Sequence, residues 1–194
     1  MNRCEWAKIN ELEMKYHDEQ WGVPIHDDRL LFEMLILEGA QAGLSWDTIL
    51  QKREGYIDAF DNFDPVKVSK YSDMKIAQLL ENPAIIRNRL KVNSAVTNAK
   101  CFLKTQKKYG SFDRYIWSFV GGKSINNKWK KLSDIPASSP ASIEMSKSLK
   151  KYGYKFVGPT ICYAYMQSTG MINDHVVSCF RHSEVISFQK FIQY

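Results

Sequence analysis

Runs of apolar residues at helical spacing follow one another along most of the chain, and most open behind a side chain able to cap a helix. That pattern limits the fold more than any other feature. Asp28 stands ahead of Leu30, Leu31, Phe32, Met34, Leu35 and Leu37, a run expected to end near Gly39. Ser45 stands ahead of Ile49, Leu50, Ile57 and Phe60, while Asp64-Pro65 and Ser72 open two short helices, the second stopping before Pro83. A longer helix spans Arg87 to Tyr109 and closes at Gly110, with Val92, Ala95, Val96, Ala99 and Phe102 inward. Another covers Ser111 to Phe119, and Gly121 to Pro140 reads as a long polar loop. Ser142 caps a helix to Lys151, and a further one runs from Thr160 through Met166 to near Gly170. Strand alternation with hairpin turns is missing, so the fold class is all-α. With 10 Gly and 6 Pro in 194 residues, one domain without long linkers is expected, built as two helical lobes, about 1–30 with 120–194 and about 31–119.

No apolar run reaches the ~18–20 residues of a membrane-spanning helix, and Met1 to Trp6 offers no export signal. A cytoplasmic address is expected. There, Cys4, Cys101, Cys162 and Cys179 would stay reduced, which favours metal ligation or core packing over disulfides.

Charge is distributed unevenly. Residues 1–85 carry 9 Lys/Arg against 16 Asp/Glu, whereas residues 86–155 carry 16 against 3, an excess of 13 positive charges. Such a field suits a polyanion, although scattered lysines also serve solubility. Within it, Lys150-Lys151-Tyr152-Gly153-Tyr154-Lys155-Phe156-Val157-Gly158-Pro159 joins two helices through a tight, glycine-containing turn. Gly158 lets backbone approach a phosphate, the N–H groups near Thr160 point at the anion, and Lys155 adds charge. An ordinary helical hairpin is the plainer alternative, and the surrounding charge favours a sequence-independent grip on a nucleic-acid backbone.

His175 and Cys179 stand four residues apart, so on one helix face imidazole and thiolate could meet a single ion. Cys4 and His17 could complete a two-sulfur, two-nitrogen set, clipping the chain's two ends together. Spacing alone leaves this open, since 158 residues separate the halves. Cys101 and Cys162 fall in apolar helical patterns, and His26 and His182 have no partner at ligand spacing.

Glu38 is the anomalous acid. It ends an apolar helix, where the dipole disfavours negative charge, and small uncharged residues follow in Ala40-Gln41-Ala42-Gly43-Leu44. Trp6, Tyr16, Trp21 and Trp46 all lie in the first fifty residues. A carboxylate walled by such rings is a receptor for a flat cation; a solvent-exposed Glu38 beside core aromatics is the other arrangement the sequence allows.

Several ordered motifs now combine: Arg3-Cys4-x-Trp6, Tyr16-His17-Asp18-Glu19-x-Trp21-Gly22-Val23-Pro24, Leu31-Phe32-Glu33, Leu37-Glu38-Gly39-x-Gln41-Ala42-Gly43-Leu44-Ser45-Trp46, Ile85-Ile86-Arg87-Asn88-Arg89, and Phe156-Val157-Gly158 leading to Asn173-Asp174-His175. From about residue 3 to 179 the chain resembles the 3-methyladenine DNA glycosylases of the constitutive bacterial type. The resemblance implies a helix-hairpin-helix repair enzyme that excises 3-methyladenine from alkylated double-stranded DNA without strand cleavage, acting as a monomer. It also implies one structural zinc ion held by Cys4, His17, His175 and Cys179. By position, Glu38 resembles the catalytic carboxylate that recognises the methylated purine, and Tyr16, Trp46, Trp6 and Trp21 resemble the walls around the base. Gln41, Gly43 and Leu44 form the candidate loop that fills the gap left by a flipped nucleotide, with Lys155, Gly158 and Thr160 as further DNA contacts.

The chain departs from the family at Glu13, where a second pocket tyrosine is common. Either the pocket carries an extra acid or Glu13 faces solvent. Asp174 lies sixteen residues after Gly158, near where related glycosylases keep a catalytic aspartate, yet its neighbour His175 suggests a structural role. The segment 180–194 matches no family motif and is expected to form a short docking helix. A zinc-stapled DNA-binding module without catalysis is the alternative function.

Overall fold

A computed structural model describes residues 1–189. It is all-α: α1 Glu11–Glu19, α2 Asp28–Gln41, α3 Trp46–Ala59, α4 Pro65–Val68, α5 Asp73–Glu81, α6 Arg89–Tyr109, α7 Phe112–Trp117, α8 Pro140–Lys151, α9 Pro159–Ser168 and α10 Phe180–Gln189. No helix among the described residues is long and apolar enough to cross a membrane.

Several helix starts differ from the sequence expectation, for local reasons. Asp27 caps α2, accepting from the Leu30 amide at 2.9 Å. Asp28 instead turns inward and accepts from the amides of Phe112 and Asp113 and from Gln106, at 2.6–2.9 Å, tying α2 to α6 and α7. Ser139 caps α8 because Pro140 fits the first helical position, where an N–H would be unsatisfied; Ser142 is the reciprocal partner in that cap. The same rule starts α9 at Pro159 rather than Thr160. Asn88 caps α6, which begins two residues after Arg87. The 121–140 loop contains a two-residue strand, β1 Ile125–Asn126, parallel to β2 Ile172–Asn173, pairing Ile125 with Ile172. A pair this short leaves no alternation in the sequence.

Ten consecutive residues of α2, Leu31 to Ala40, are buried, so this helix is the axis of the core. Around it pack α3, α6, α7 and α9. Phe102 stacks on Phe112 at 4.1 Å and meets Phe32 edge-on at 5.0 Å. Each such fully buried ring contributes roughly 1.5–3 kcal/mol of apolar transfer. A second, smaller cluster joins the chain's ends, with Cys4, Tyr16 and Trp21 against Val176 and Cys179. Trp46 packs against both regions. Gly170, at φ +73°, lies against the Val23-Pro24 backbone so closely that a Cβ would sit 2.4 Å from it.

The segment expected to form a docking helix is helical over Phe180–Gln189. Its remainder lies outside the described residues.

Candidate functional site

The last turn of α2 opens onto a cavity of about 340 Å³ lined by Trp6, Tyr16, Trp21, Glu38, Gln41 and Trp46 on one side. The facing wall is made by Leu132, Ile135, Pro136 and Ala137 from the 121–140 loop, and by Thr160, Tyr163, Ala164 and Gln167 of α9. The expected carboxylate and all four expected rings therefore converge. Tyr16 and Trp46 stand 5.3 Å apart at 49°, and Trp6 meets Trp21 edge-on at 5.0 Å.

Glu38 is 4% exposed. Burial pushes its carboxyl up to about 8, and a hydrogen bond to Ser168 opposes the shift. Burial, and then the neighbouring Glu38, likewise hold the Tyr16 phenol well above its ordinary value. Two donors at this cavity, the Tyr16 hydroxyl and the Trp46 indole N–H, are buried without a hydrogen-bond partner among the described residues. Unmet buried donors are uncommon, and here they flank the space a ligand would fill.

Behind this wall lies the second convergence. Cys4, His17, His175 and Cys179 are all buried, with one ligand atom of each within 4.8 Å of the others, and could hold a metal ion. Cys179 Sγ is 3.4 Å from His17 Nε2 and 3.7 Å from His175 Nδ1, which is also 3.7 Å from Cys4 Sγ. The outer nitrogens are engaged. His17 Nδ1 meets Asp18 at 2.8 Å, itself gripped by Arg3 at 2.7–3.0 Å, and His175 Nε2 lies 3.0 Å from the Trp21 carbonyl. Such outer partners fix which nitrogen faces an ion. A hydrogen bond between the sulfurs, reinforced by burial, holds Cys4 as the thiol, and the same bond favours thiolate at Cys179.

Of the remaining expected residues, Gln41 and Thr160 line the cavity, and Gly43, Leu44, Lys155 and Gly158 do not. Gly43 adopts φ +78°, which turns the chain after α2 and leaves Leu44 40% exposed. Lys91 fixes that turn by donating to the carbonyls of Ala40 and Ala42, both at 2.7 Å. Gly158 occupies the cap position of α9, with no side-chain cap and open space where a Cβ would be. Exposed Lys155 is held through its backbone by Asn98, at 2.8 and 3.0 Å. Thr160 is exposed and also lines the cavity.

The methyladenine glycosylase family model matches residues 6–182. The chain belongs to this family. It is 46% identical over 179 residues to DNA-3-methyladenine glycosylase 1 of Escherichia coli (strain K12), covering 92% of this chain and 96% of that protein. It is 44% identical to DNA-3-methyladenine glycosylase of Haemophilus influenzae, covering 91% and 96%. Among solved structures it is similar to 3-methyladenine DNA glycosylase I from Staphylococcus aureus, in a structure concerned with 3-methyladenine recognition: TM-score 0.90, 37% identity, 93% and 96% coverage.

Within this family frame, Glu13 takes neither arrangement the sequence allowed. It is 5% exposed, does not line the cavity, and lies near Asp47 of α3, with one oxygen lacking a partner among the described residues. Burial, then Asp47, raises its pKa. Asp174 is wholly buried and accepts from Asn127, Trp129, Tyr163 and Gln167 at 2.6–2.7 Å. Four donors saturate it, and it is not among the residues that line the cavity. His26 pairs with Asp113 at 2.7 Å and stacks on Trp117, and His182 meets the Asn127 carbonyl at 2.8 Å. Sequence reasoning missed the 132–137 wall, because a loop carries no periodicity, and missed Lys91, one of sixteen basic residues in its region.

Proposed function

We propose that this chain excises 3-methyladenine from alkylated DNA by hydrolysing the N-glycosidic bond. The observation that carries the reading is Glu38: a carboxyl buried in an aromatic cavity beside two unpartnered donors. Methylation at N3 makes the attached base cationic, and its charge draws the buried Glu38 carboxyl, otherwise held neutral by desolvation, into the ionised form, a pairing that unmodified adenine cannot offer. The Tyr16 hydroxyl and Trp46 N–H are then available to polar atoms of the purine, while Trp6 and Trp21 close the box. The C1′–N9 bond breaks with its electron pair on N9, so the base leaves neutral. A water oxygen adds to C1′ and its proton passes to solvent. As the C1′–N9 bond lengthens, positive charge passes from the base to the sugar, where an ionised Glu38 and the DNA phosphates can stabilise it, so tight binding of the flipped cation feeds directly into cleavage.

DNA is held at the mouth. Gly158 and Thr160 present the uncapped start of α9 to a phosphate, Lys155 supports it, and Gln41, Gly43 and Leu44 enter the gap left in the duplex. The cavity lining includes no lysine, which supports a monofunctional reaction without Schiff-base chemistry. A reducing cytoplasmic address and action as a monomer on double-stranded DNA complete the reading, and the excess of basic residues over 86–155 supports its DNA part.

Cys4, His17, His175 and Cys179 fit one zinc ion. Bonds of about 2.3 Å to sulfur and about 2.0 Å to nitrogen place tetrahedral ligands roughly 3.3–3.8 Å apart. The three sulfur–nitrogen contacts of 3.4–3.7 Å match this spacing. When bound, the ion supplies the charge two buried sulfurs require and joins the termini.

Release of free 3-methyladenine from methylated duplex DNA tests the reading. Glu38→Gln and Glu38→Ala are expected to lower the rate at least about 100-fold, the loss seen when a buried electrostatic contact to the transition state is removed. Unchanged release by either would refute the pocket assignment. DNA binding by the wild type without any release would favour the non-catalytic module.

A further inference from the structure

The cavity is bordered by Gln41 at the end of α2, by Thr160 at the start of α9, and by Leu132, Ile135, Pro136 and Ala137 of the 121–140 loop. The first two already have DNA to contact in the proposed function. The third has the same character. Lys128, Lys130 and Lys131 are exposed, and Leu132 is an apolar side chain of the cavity lining left 40% exposed, as open as Leu44.

This loop is built to hold its position. Asn127 and Trp129 turn inward and donate to Asp174, both at 2.7 Å, so the intervening Lys128 and following Lys130 turn outward. The Val177 amide donates to the Trp129 carbonyl at 2.9 Å, and the β1–β2 pair fixes the segment's start. Downstream, Lys131 N–H donates to Asp134, and the Ile135 amide closes the turn on the Leu132 carbonyl at 3.1 Å. The one ion pair within the arm, Lys131 with Asp134 at 3.9 Å, is highly exposed and too weak to occupy the lysine. Asp174 also accepts from Tyr163 and Gln167, so one buried carboxylate sets the arm and the α9 cavity wall against each other.

We propose that residues 128–137 form a preformed second arm on the DNA, with Lys128, Lys130 and Lys131 on phosphates of the strand that carries the flipped nucleotide and Leu132 against its deoxyribose. The proposal rests on the glycosylase reading above. A flipped nucleotide entering the cavity must pass the third border, and its backbone stays at the rim with phosphates on either side. Lysines spaced along a fixed loop meet those charges without an ordering penalty, and Leu132 loses water only when the sugar covers it.

The test compares the wild type with Lys128→Gln/Lys130→Gln/Lys131→Gln, and with a Lys67→Gln/Lys70→Gln/Lys75→Gln control that removes equal charge from the acidic half. Excision from methylated duplex is followed across KCl concentrations, and free 3-methyladenine affinity by tryptophan fluorescence. The arm variant is expected to raise KM for DNA about tenfold near physiological salt and to flatten the logarithmic salt slope by about 2–3, at ~0.9 per phosphate contact. Its kcat and free-base affinity should stay within about twofold of wild type, and the control should keep the wild-type slope. Leu132→Ala is expected to lower kcat/KM severalfold with no recovery at low salt. An active wild type with an unaltered arm-variant slope overturns the proposal, as does an equal effect in the control, which would mean long-range charge rather than contact. A wild type that releases no 3-methyladenine instead overturns the glycosylase reading itself.

Discussion

Glu38 should weaken the fold it serves, and the size of that effect follows from its burial. Its carboxyl is raised from an ordinary 4.5 to about 8, chiefly by desolvation. The folded protein thus holds a proton that the unfolded chain releases. Below pH 4.5 both states are protonated and the fold carries no penalty from this group; as pH rises toward 8 the unfolded chain ionises first and stability falls. At 1.36 kcal/mol per unit, the penalty is about 1 kcal/mol at pH 5, about 3 at pH 7 and about 4 at pH 8. Glu38→Gln keeps the shape and has no proton to lose, so the variant escapes the decline. For a chain of this size about 1 kcal/mol moves Tm by roughly 2–4 °C. The gap in Tm between Glu38→Gln and wild type should therefore widen by roughly 7–14 °C from pH 5 to pH 8, with the variant the more stable. Calorimetry of both proteins at matched pH and salt measures it, and titrations common to both, including those at the metal centre, cancel in the difference. A gap that stays flat across this range would show that the carboxyl is not held neutral by burial.

Two further outcomes follow from packing. Gly55 lies inside α3, where alanine ordinarily stabilises by about 1 kcal/mol. Here a Cβ would sit 2.5 Å from the Ala84 carbonyl oxygen and 2.6 Å from the Ala84 Cβ, so Gly55→Ala should destabilise by about 2 kcal/mol or more in urea melts, and a gain would refute the contact. At the metal centre, Cys179→Ala should take zinc from about one per chain to near zero and lower stability on the order of 4 kcal/mol, the class to which lost metals belong. A full zinc content in that variant would refute the ligand set.

Apart from α1, for which the sequence offered no expected helix, the helices were legible because each signal is local. Ser45, Asp64, Ser72 and Ser111 cap the helices they precede, since capping depends on a hydroxyl or carboxylate reaching an amide two or three residues on. Asp28 shows the limit of that logic. Adjacent Asp27 satisfies the same rule, and only the distant amides of Phe112 and Asp113 decide which carboxylate is released for another task. Glu38 and its rings were legible because a charge at the end of an apolar helix breaks pattern. The facing wall was not, since Leu132 to Ala137 are brought there by Asn127 and Trp129 reaching Asp174, residues 45 or more positions away.

Candidate metal ligands and cavity walls alternate in the sequence, which explains why the two sites cannot be separated physically. Cys4 is followed by Trp6, and Tyr16 by His17 on the same turn of α1. Trp6 lies edge-on to His17 at 5.4 Å, and Trp21 to His175 at 4.6 Å, so two rings facing the base cavity rest their other sides on imidazoles of the metal cluster. An N-terminal segment that contributes one short turn and one nine-residue helix has little core of its own to hold those rings still. An ion held by Cys4, His17, His175 and Cys179, as proposed, would join it to the far end of the chain and supply that rigidity from outside. Aromatic walls held this way can leave the Tyr16 and Trp46 donors unpaired and Glu38 desolvated, the strained condition that a cationic purine relieves on entering.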